Sequence, residues 1–351
     1  MKAHNCAFAL CLYTAFAAEA PITVGDLVGR VTEALAVDRD DERMAHALAS
    51  AVLKERLSDG VIAKLQRMGA GPLTLRELQA LGRQSAALPR PALSPLALKP
   101  TPTASECAAM ALAVRNYTAG YLDSLPDFTC TREDQRFRTP TGRQARLVEK
   151  GLLRSWDWVH DGSNVTEVSW VGHREHYRLV SIDGKPTGES FAKIENRVSW
   201  GETAGLLNEI PDIGPELRWD HWEVTDNWPA AVLTYFIPLA DSQYTLCCPR
   251  FLAAHRGLVY ADPQSGAVLR LIIYANGLTR ASPAMGSGNV VDYGDVVISG
   301  KHYLLPRRSV AWVLDHNGEG REEIVYRDYR KFDANATITF PEEKAPAQKR
   351  Q

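Results

Sequence analysis

From residue 128 to residue 340 the chain is punctuated by residue pairs that end in glycine: Asp161-Gly162, Asp183-Gly184, Ser265-Gly266, Ser299-Gly300 and Asn317-Gly318. Such pairs accept the positive backbone angles that tight hairpins demand, and hairpins join antiparallel neighbours. Parallel strands would need long helical crossovers, and none is evident between these segments. The spacing predicts a large antiparallel sheet. Alternation is clearest at 267–275, where Ala267, Leu269, Leu271 and Ile273 share one side and Val268, Arg270, Ile272 and Tyr274 the other. All eight tryptophans (156, 158, 170, 200, 219, 222, 228 and 312) fall in this region. The core, or a cavity wall, is expected here. A short helix is expected over 202–210.

The chain before residue 128 has a different period. Val24, Leu27, Val28, Val31 and Leu35 recur at three-and-four spacing, with Thr23 as N-cap and Asp26 at the positive helix end. Asp40 or Asp41 is placed to cap a second helix carrying Met44, Leu48, Val52 and Leu57. Ser58 is placed to cap a third, which Gly69 ends. Thr74 and Glu77 have the spacing of a capping box before Leu75, Leu78 and Leu81. Residues 22–88 thus read as a small helical domain, marginal alone, that docks on the rest of the chain or on a partner protein. Residues 89–103 contain five prolines and read as an extended linker. Met110, Val114, Tyr117 and Tyr121 line one face of a helix over 104–123, which opens the β domain at 104–341. Residues 342–351 read as a polar, frayed tail. The fold class expected is α+β.

Cys6 to Ala17 is an uncharged apolar run after Lys2 and His4, and Ala15-Phe16-Ala17 offers the small residues a signal peptidase needs. Residues 1–17 therefore read as a signal peptide and the protein as periplasmic or secreted. The run is too short to span a bilayer, and no later stretch is apolar for long enough. With 40 basic and 42 acidic residues, nothing favours nucleic acid as a partner. Cleavage would leave Cys107, Cys130, Cys247 and Cys248 in an oxidising compartment. A bridge from Cys130 to either Cys247 or Cys248 is the expected pairing, though spacing leaves the alternatives open.

Candidate chemistry is sparse. His173-Arg174-Glu175-His176 has zinc-like spacing only on a helix, and its surroundings read as strand, so exposed polar residues near a hairpin explain it better and no metal is expected. Trp219, His221 and Trp222, with Asp220 between, could form a pocket wall holding a general base, or simply a buried strand. Trp156 and Trp158 join them as pocket candidates. There is no G-x-S-x-G frame, no P-loop and no dinucleotide fingerprint. No catalytic residue and no cofactor is expected.

Several motifs carry a resemblance. Tyr121-Leu-Asp-Ser-Leu-Pro-Asp-Phe-Thr-Cys-Thr-Arg132, Arg218-Trp-Asp-His-Trp222, Gly257-Leu-Val-Tyr-Ala-Asp262, Tyr303-Leu-Leu-Pro306 and Tyr329-Arg-Lys-Phe332 with Ala336-Thr-Ile-Thr-Phe340 resemble a family of uncharacterised exported proteins from acidobacteria. The hairpin motifs at Tyr260–Leu271 and Val297–Pro306 are also similar to the periplasmic lipoprotein-carrier (LolA-like) superfamily. That resemblance implies an unclosed β half-barrel with a covering helix, whose hollow accepts acyl chains. Arg270 and other charges on the strands depart from an apolar groove. The first expectation is a non-enzymatic exported protein that binds or carries an apolar ligand such as a lipid. The alternatives are a structural or protein-interaction module with a solid β core, and an exported hydrolase of unknown substrate.

Overall fold

The computed structural model describes residues 21–37, 41–67, 69–91, 99–141, 158–194, 199, 201–202, 205–210, 217–225, 228–246, 251–276, 278, 282, 284–315 and 318–332. The expected signal peptide, part of the proline-rich linker (92–98), Trp156, Cys247, Cys248 and the tail lie outside these residues.

Four helices come first: α1 (Val24–Val37), α2 (Asp41–Ala49), α3 (Asp59–Arg67) and α4 (Pro72–Gln84). Thr23 caps α1 reciprocally: its Oγ accepts from the Asp26 N–H at 2.9 Å, and the Asp26 carboxylate accepts from the Thr23 N–H at 3.0 Å. Ser58 precedes α3 and accepts from the Val61 N–H, and Gly69, at φ 104°, follows the helix. The start of α4 differs from expectation. The helix begins at Pro72, so Thr74 is inside its first turn and buried, and no Thr74–Glu77 capping box forms. Asp41 reaches across instead, its two carboxylate oxygens each accepting at 2.8 Å from the N–H groups of Leu73 and Thr74. The N-cap position is Gly71, where a Cβ would lie 2.3 Å from the Asp41 carboxyl. Leu27, Val31, Met44, Leu48, Leu65 and Leu78 fill the core of this segment.

Helix α5 (Ala104–Ser124) opens on a complete capping box: Thr103 Oγ accepts from Glu106 N–H, and Glu106 Oε2 accepts from Thr103 N–H at 2.7 Å. The strands then follow as β1 (Phe128–Arg138), β2 (Val159–Val171), β3 (Arg174–Ile182), β4 (Lys185–Pro186), β5 (Arg218–Thr225), β6 (Trp228–Ile237), β7 (Thr245–Leu246), β8 (Phe251–Leu252), β9 (His255–Ala261), β10 (Val268–Asn276), β11 (Ala284–Ile298), β12 (Lys301–Asp315) and β13 (Gly318–Lys331). Eleven of them form one open antiparallel sheet in the order β4-β3-β2-β1-β13-β12-β11-β10-β9-β6-β5, while β7 and β8 pair separately. The protein is α+β, with a curved, unclosed sheet and a covering helix. Asp183-Gly184 and Ser299-Gly300 turn their hairpins with positive φ at both residues, as a two-residue connection requires. Asp161-Gly162 does not turn a hairpin; it lies inside β2, where the register with β1 shifts between Arg136 and Phe137. No α-helix runs through the described residues of 202–210, where 202 and 205–209 lie in turns.

Both faces of the sheet are covered. The inner face meets α5, whose Met110, Val114 and Tyr121 join Phe128, Trp170, Leu233, Leu271, Ile324 and Tyr326 in the largest core, together with Leu207 and Ile210. Tyr121 donates to the Leu304 carbonyl at 2.8 Å. The outer face carries Val232, Tyr260, Ile272, Val290 and Val310, and α1 packs across β10, β11 and β12. Arg43 of α2 fastens the same dock, stacked 4.0 Å from the Trp158 ring and paired with Glu319 at 3.4 Å. A bulge between Val268 and Arg270 breaks the alternation expected there, so Val268 joins the inner core while Leu269 packs against the outer one.

Candidate functional site

The inner face of the sheet changes character along its strands. Toward Phe128 it is apolar. Farther along β1, alternate residues Arg132, Asp134 and Arg136 point the same way and are all buried. Arg132 is completely enclosed and meets Asp134 at 2.7 Å, Glu202 at 3.3 Å and Glu322 at 3.3 Å. Asn164 on β2 donates to Asp134 and accepts from Arg136. The turn residues at 199–202 close onto this network, with the Ser199 N–H donating to Glu322 at 2.6 Å and its hydroxyl donating to Glu202. Burial, helped by the Asp134 charge, raises the Glu322 carboxyl well above the usual range. Burial opposes the charge of Arg132, but the surrounding carboxylates outweigh it and raise its pKa.

Beside this network lies a cavity of about 480 Å³. Its floor is Arg136, Ser287, Asn289, Ala311, Val313 and Glu322 from the sheet. Leu206 and Glu209 close one side, and Gln243, Tyr244 and Leu246 another. Most ionic groups in this wall already have partners. Arg138 pairs with Asp161 at 3.2 Å, Arg321 with Glu323 at 2.8 Å, and Glu322 with Arg132 and Ser199. Buried atoms of this wall without a hydrogen-bond partner are Nε of Arg136, Nε and Nη2 of Arg321, and one carboxylate oxygen of Glu209. The Glu209 side chain is 6% exposed, and its Oε2 accepts no hydrogen bond. Burial raises its pKa, partly offset by the backbone N–H of Gln243.

His255 stands behind Glu209, its Nε2 3.9 Å from Glu209 Oε2. Hydrogen-bond bookkeeping fixes its tautomer. The Ser242 hydroxyl lies 2.7 Å from the Ala253 carbonyl, which has no hydrogen to give, so Ser242 donates there. Ser242 Oγ then accepts from the Tyr244 N–H at 3.0 Å and from His255 Nδ1–H at 3.2 Å. Nε2 is left as a bare acceptor facing a carboxyl oxygen. Burial lowers the His255 pKa from the usual 6.5 to about 4, so the ring is neutral at physiological pH.

The residues singled out in the sequence lie elsewhere. Trp219 and Trp222 sit at the β5 edge, edge-to-face at 6.1 Å, against the inner core. Trp222 donates to the Pro100 carbonyl at 3.2 Å and lies under Lys99, whereas the Trp219 N–H has no acceptor. The bulge at Asp220 turns His221 to the other face, where its ring lies 2.5 Å from Asp220 and 2.7 Å from Glu223. Burial acts to lower its pKa, and those two carboxylates outweigh it and raise it. Trp158 belongs to the helical dock. None of these four lines the cavity. His173 has positive φ in the β2–β3 turn and lies 3.5 Å from Asp123, and no metal-holding cluster occurs among the described residues. Cys130 is a free, buried thiol, and Cys247 and Cys248, to which a bridge was expected, lie outside the described residues. Cys130 points into the core beside Val168 and Tyr329, and burial raises its pKa to about 12. No helix among the described residues is long and apolar enough to cross a membrane.

No family model and no curated protein matches the chain. Solved structures do match. A domain assigned to outer membrane lipoprotein sorting, from Vibrio parahaemolyticus, is 13% identical, with 65% of this chain and 93% of that one covered, at a TM-score of 0.28. A LolA superfamily protein from Nitrosomonas europaea is 11% identical, with 64% and 94% covered, at a TM-score of 0.28. A DUF1329 family protein from Desulfovibrio piger is 10% identical, with 67% and 95% covered, at a TM-score of 0.29. The second is of the superfamily that the hairpin motifs resemble, and none of the three comes from an acidobacterium. At such identities and TM-scores these matches carry nothing about ligand or activity, and the fold stated above rests on the chain's own strand order.

Proposed function

We propose that this chain is an exported, non-enzymatic binding protein that holds one amphipathic molecule, an acyl chain or lipid with a polar head, in the inner-face cavity. The observation that carries the reading is the cavity itself. Its volume falls in the usual range for small-molecule sites, and Leu206, Leu246 and Val313 share its wall with Arg136, Asn289 and Glu209. A wholly apolar ligand would leave Glu209 Oε2 without a partner, which is costly. The sequence-level expectation of an apolar ligand is therefore narrowed to one with a head. Export rests on the apolar run at Cys6–Ala17, and 22–88 and 104–341 are proposed as the two units of the mature chain.

The hydrolase reading has one observation in its favour, the string Ser242–His255–Glu209. Its geometry argues for a structural role: Ser242 is buried, donates to a carbonyl and does not line the cavity. A nucleophile would need its oxygen presented to substrate. The solid-module reading draws on the inner core under α5, which is filled by the protein's own side chains. Native mass spectrometry of the protein purified from its producing cells, before and after adding dodecyl-chain amphiphiles, separates the readings. One bound amphiphile per chain, displaced in a Leu206→Trp variant of unchanged melting temperature, is expected. Absence of any adduct at millimolar amphiphile would favour the solid module.

A further inference from the structure

Among the described residues, nine large apolar side chains stand exposed, and six of them share one end of the sheet: Phe236, Leu239, Leu252, Met285, Val313 and Leu314. The strand register gathers them. One row across the ladder runs through Phe236, Arg256, Tyr274, Gly288 and Trp312. Val313 and Leu314 continue β12 beyond that row, and Met285 adjoins the Gly286–Leu314 pair on β11. Leu239 follows the end of β6. The β7–β8 hairpin brings Leu252 to the same place, since its Leu246 and Phe251 pack with Ala275 of β10 and Ala284 of β11. Exposure in the group runs from 37% at Leu314 to 54% at Leu252. The other three, Val52, Leu112 and Val297, are scattered over the helical segment, α5 and the opposite end of β11. Single exposed side chains are ordinary, whereas a gathered group marks a surface that meets something apolar.

The group is continuous with the cavity. Val313 belongs to both, and Leu252 pairs with Thr245, which lines the cavity beside Leu246. The apolar end of the sheet is therefore the cavity's rim. We propose that this rim docks on a lipid bilayer and dips its apolar side chains into the acyl region, so that an amphiphile passes between membrane and cavity without crossing water. The charges nearby point to the apolar part of the membrane as the attraction. Exposed Arg256 and Asp241 and half-exposed Asp315 mix both signs around the rim, so anionic headgroups gain no advantage over neutral ones. The docking surface goes beyond the cavity reading, and only the transfer of ligand rests on it.

Flotation of the full chain with phosphatidylcholine vesicles tests the proposal. Wild type is expected to float with the vesicles, and raising salt from about 0.1 M to about 1 M should change its partitioning by less than about twofold. Leu252→Asp with Leu314→Asp, both at exposed positions, should weaken partitioning by about tenfold or more, while native mass spectrometry still finds the bound amphiphile. Wild type that stays out of the vesicles, partitioning abolished by salt, or a double variant that floats like wild type would each overturn the docking surface. A wild type that stays out and is instead a dimer, dispersed by the double variant, would give the rim to a second copy of this chain. A chain that floats as expected yet never holds an amphiphile would keep the docking surface and remove the cavity reading. Should the double variant fail to fold, Leu239→Ser, in the turn after β6, supplies the comparison with an expected loss of about threefold.

Discussion

One face of one sheet is used in two ways. Under α5, the inner side chains of β1, β2, β6, β10 and β13 are Phe128, Trp170, Leu233, Leu271 and Ile324, each no more than 2% exposed. Farther along β1, β2 and β13 the positions become Arg132, Asp134, Arg136, Asn164 and Glu322, and the cavity opens beside them. The first half is held by burial of apolar area, at about 1.5–3 kcal/mol for each large side chain. In the second half every charge must find a partner in a place with little water. The difference teaches that curvature alone does not make a hollow. Where the sheet meets a helix it closes, and where it meets irregular turns pinned by ion pairs it leaves space.

The sharpest way to break that contrast is to remove the central charge of the polar half. Arg132→Met should cost about 3–5 kcal/mol, because Asp134, Glu202 and Glu322 would be left buried and repelling one another; urea denaturation measures it. A variant within 1 kcal/mol of wild type would show the polar half to be hydrated and loosely held. In the apolar half, Leu271→Ala should cost about 3 kcal/mol, the loss expected for a fully buried leucine, with the same readout.

Acidity acts mainly on the cavity side. His255 is held neutral down to about pH 4, whereas in the unfolded chain it takes a proton near 6.5. Between those values the unfolded state binds more protons, so this group makes stability fall as pH drops from 6.5 toward 4, by about 1.4 kcal/mol per pH unit at most. The raised carboxyls of Glu209 and Glu322 work in the opposite sense, since they bind protons in the folded state above the usual carboxylate range. Comparing the pH dependence of urea midpoints for wild type and His255→Gln isolates the histidine: the variant should lose less stability on acidification. The smallest expected effect is at the cap of the covering helix. Thr103→Ala removes the acceptor for Glu106 N–H and should cost about 1 kcal/mol, seen as a modest fall in melting temperature with ligand binding intact.

Much of the fold was legible in the sequence because local chemistry determines it. Thr23 with Asp26 starts α1, Ser299-Gly300 turns a hairpin, and Met110, Val114 and Tyr121 form the buried stripe of α5. What escaped depends on distant parts of the chain. Asp41 caps α4 from 32 and 33 residues away, which no short motif reveals. Arg132, Asp134 and Arg136 alternate on β1 as a solvent-facing row would, and only the turns at 199–210 bury them. The cavity was hidden for the same reason, since Glu209, Tyr244 and Asn289 come from three separate regions. A signal did exist for Glu209, a carboxylate between Leu207 and Ile210 in a short apolar segment. Trp158, Trp219 and Trp222 lie outside the cavity lining, since an indole is as useful in packing α5 or Arg43 as in greeting a ligand.

The strand order has a consequence for how the protein is made. Strands β1 to β4 form one meander of near neighbours and β9 to β12 belong to another, and the two are joined only by β13, which lies between β1 and β12. A ribosome releases that joining strand after the twelve that precede it. Until residues 318–331 emerge, the nascent chain holds two half-sheets, each with a bare flank where β13 belongs, and the pairing that unites them spans nearly two hundred residues. Such distant closure is slow, so shielding those flanks during synthesis and export becomes a requirement written into the topology.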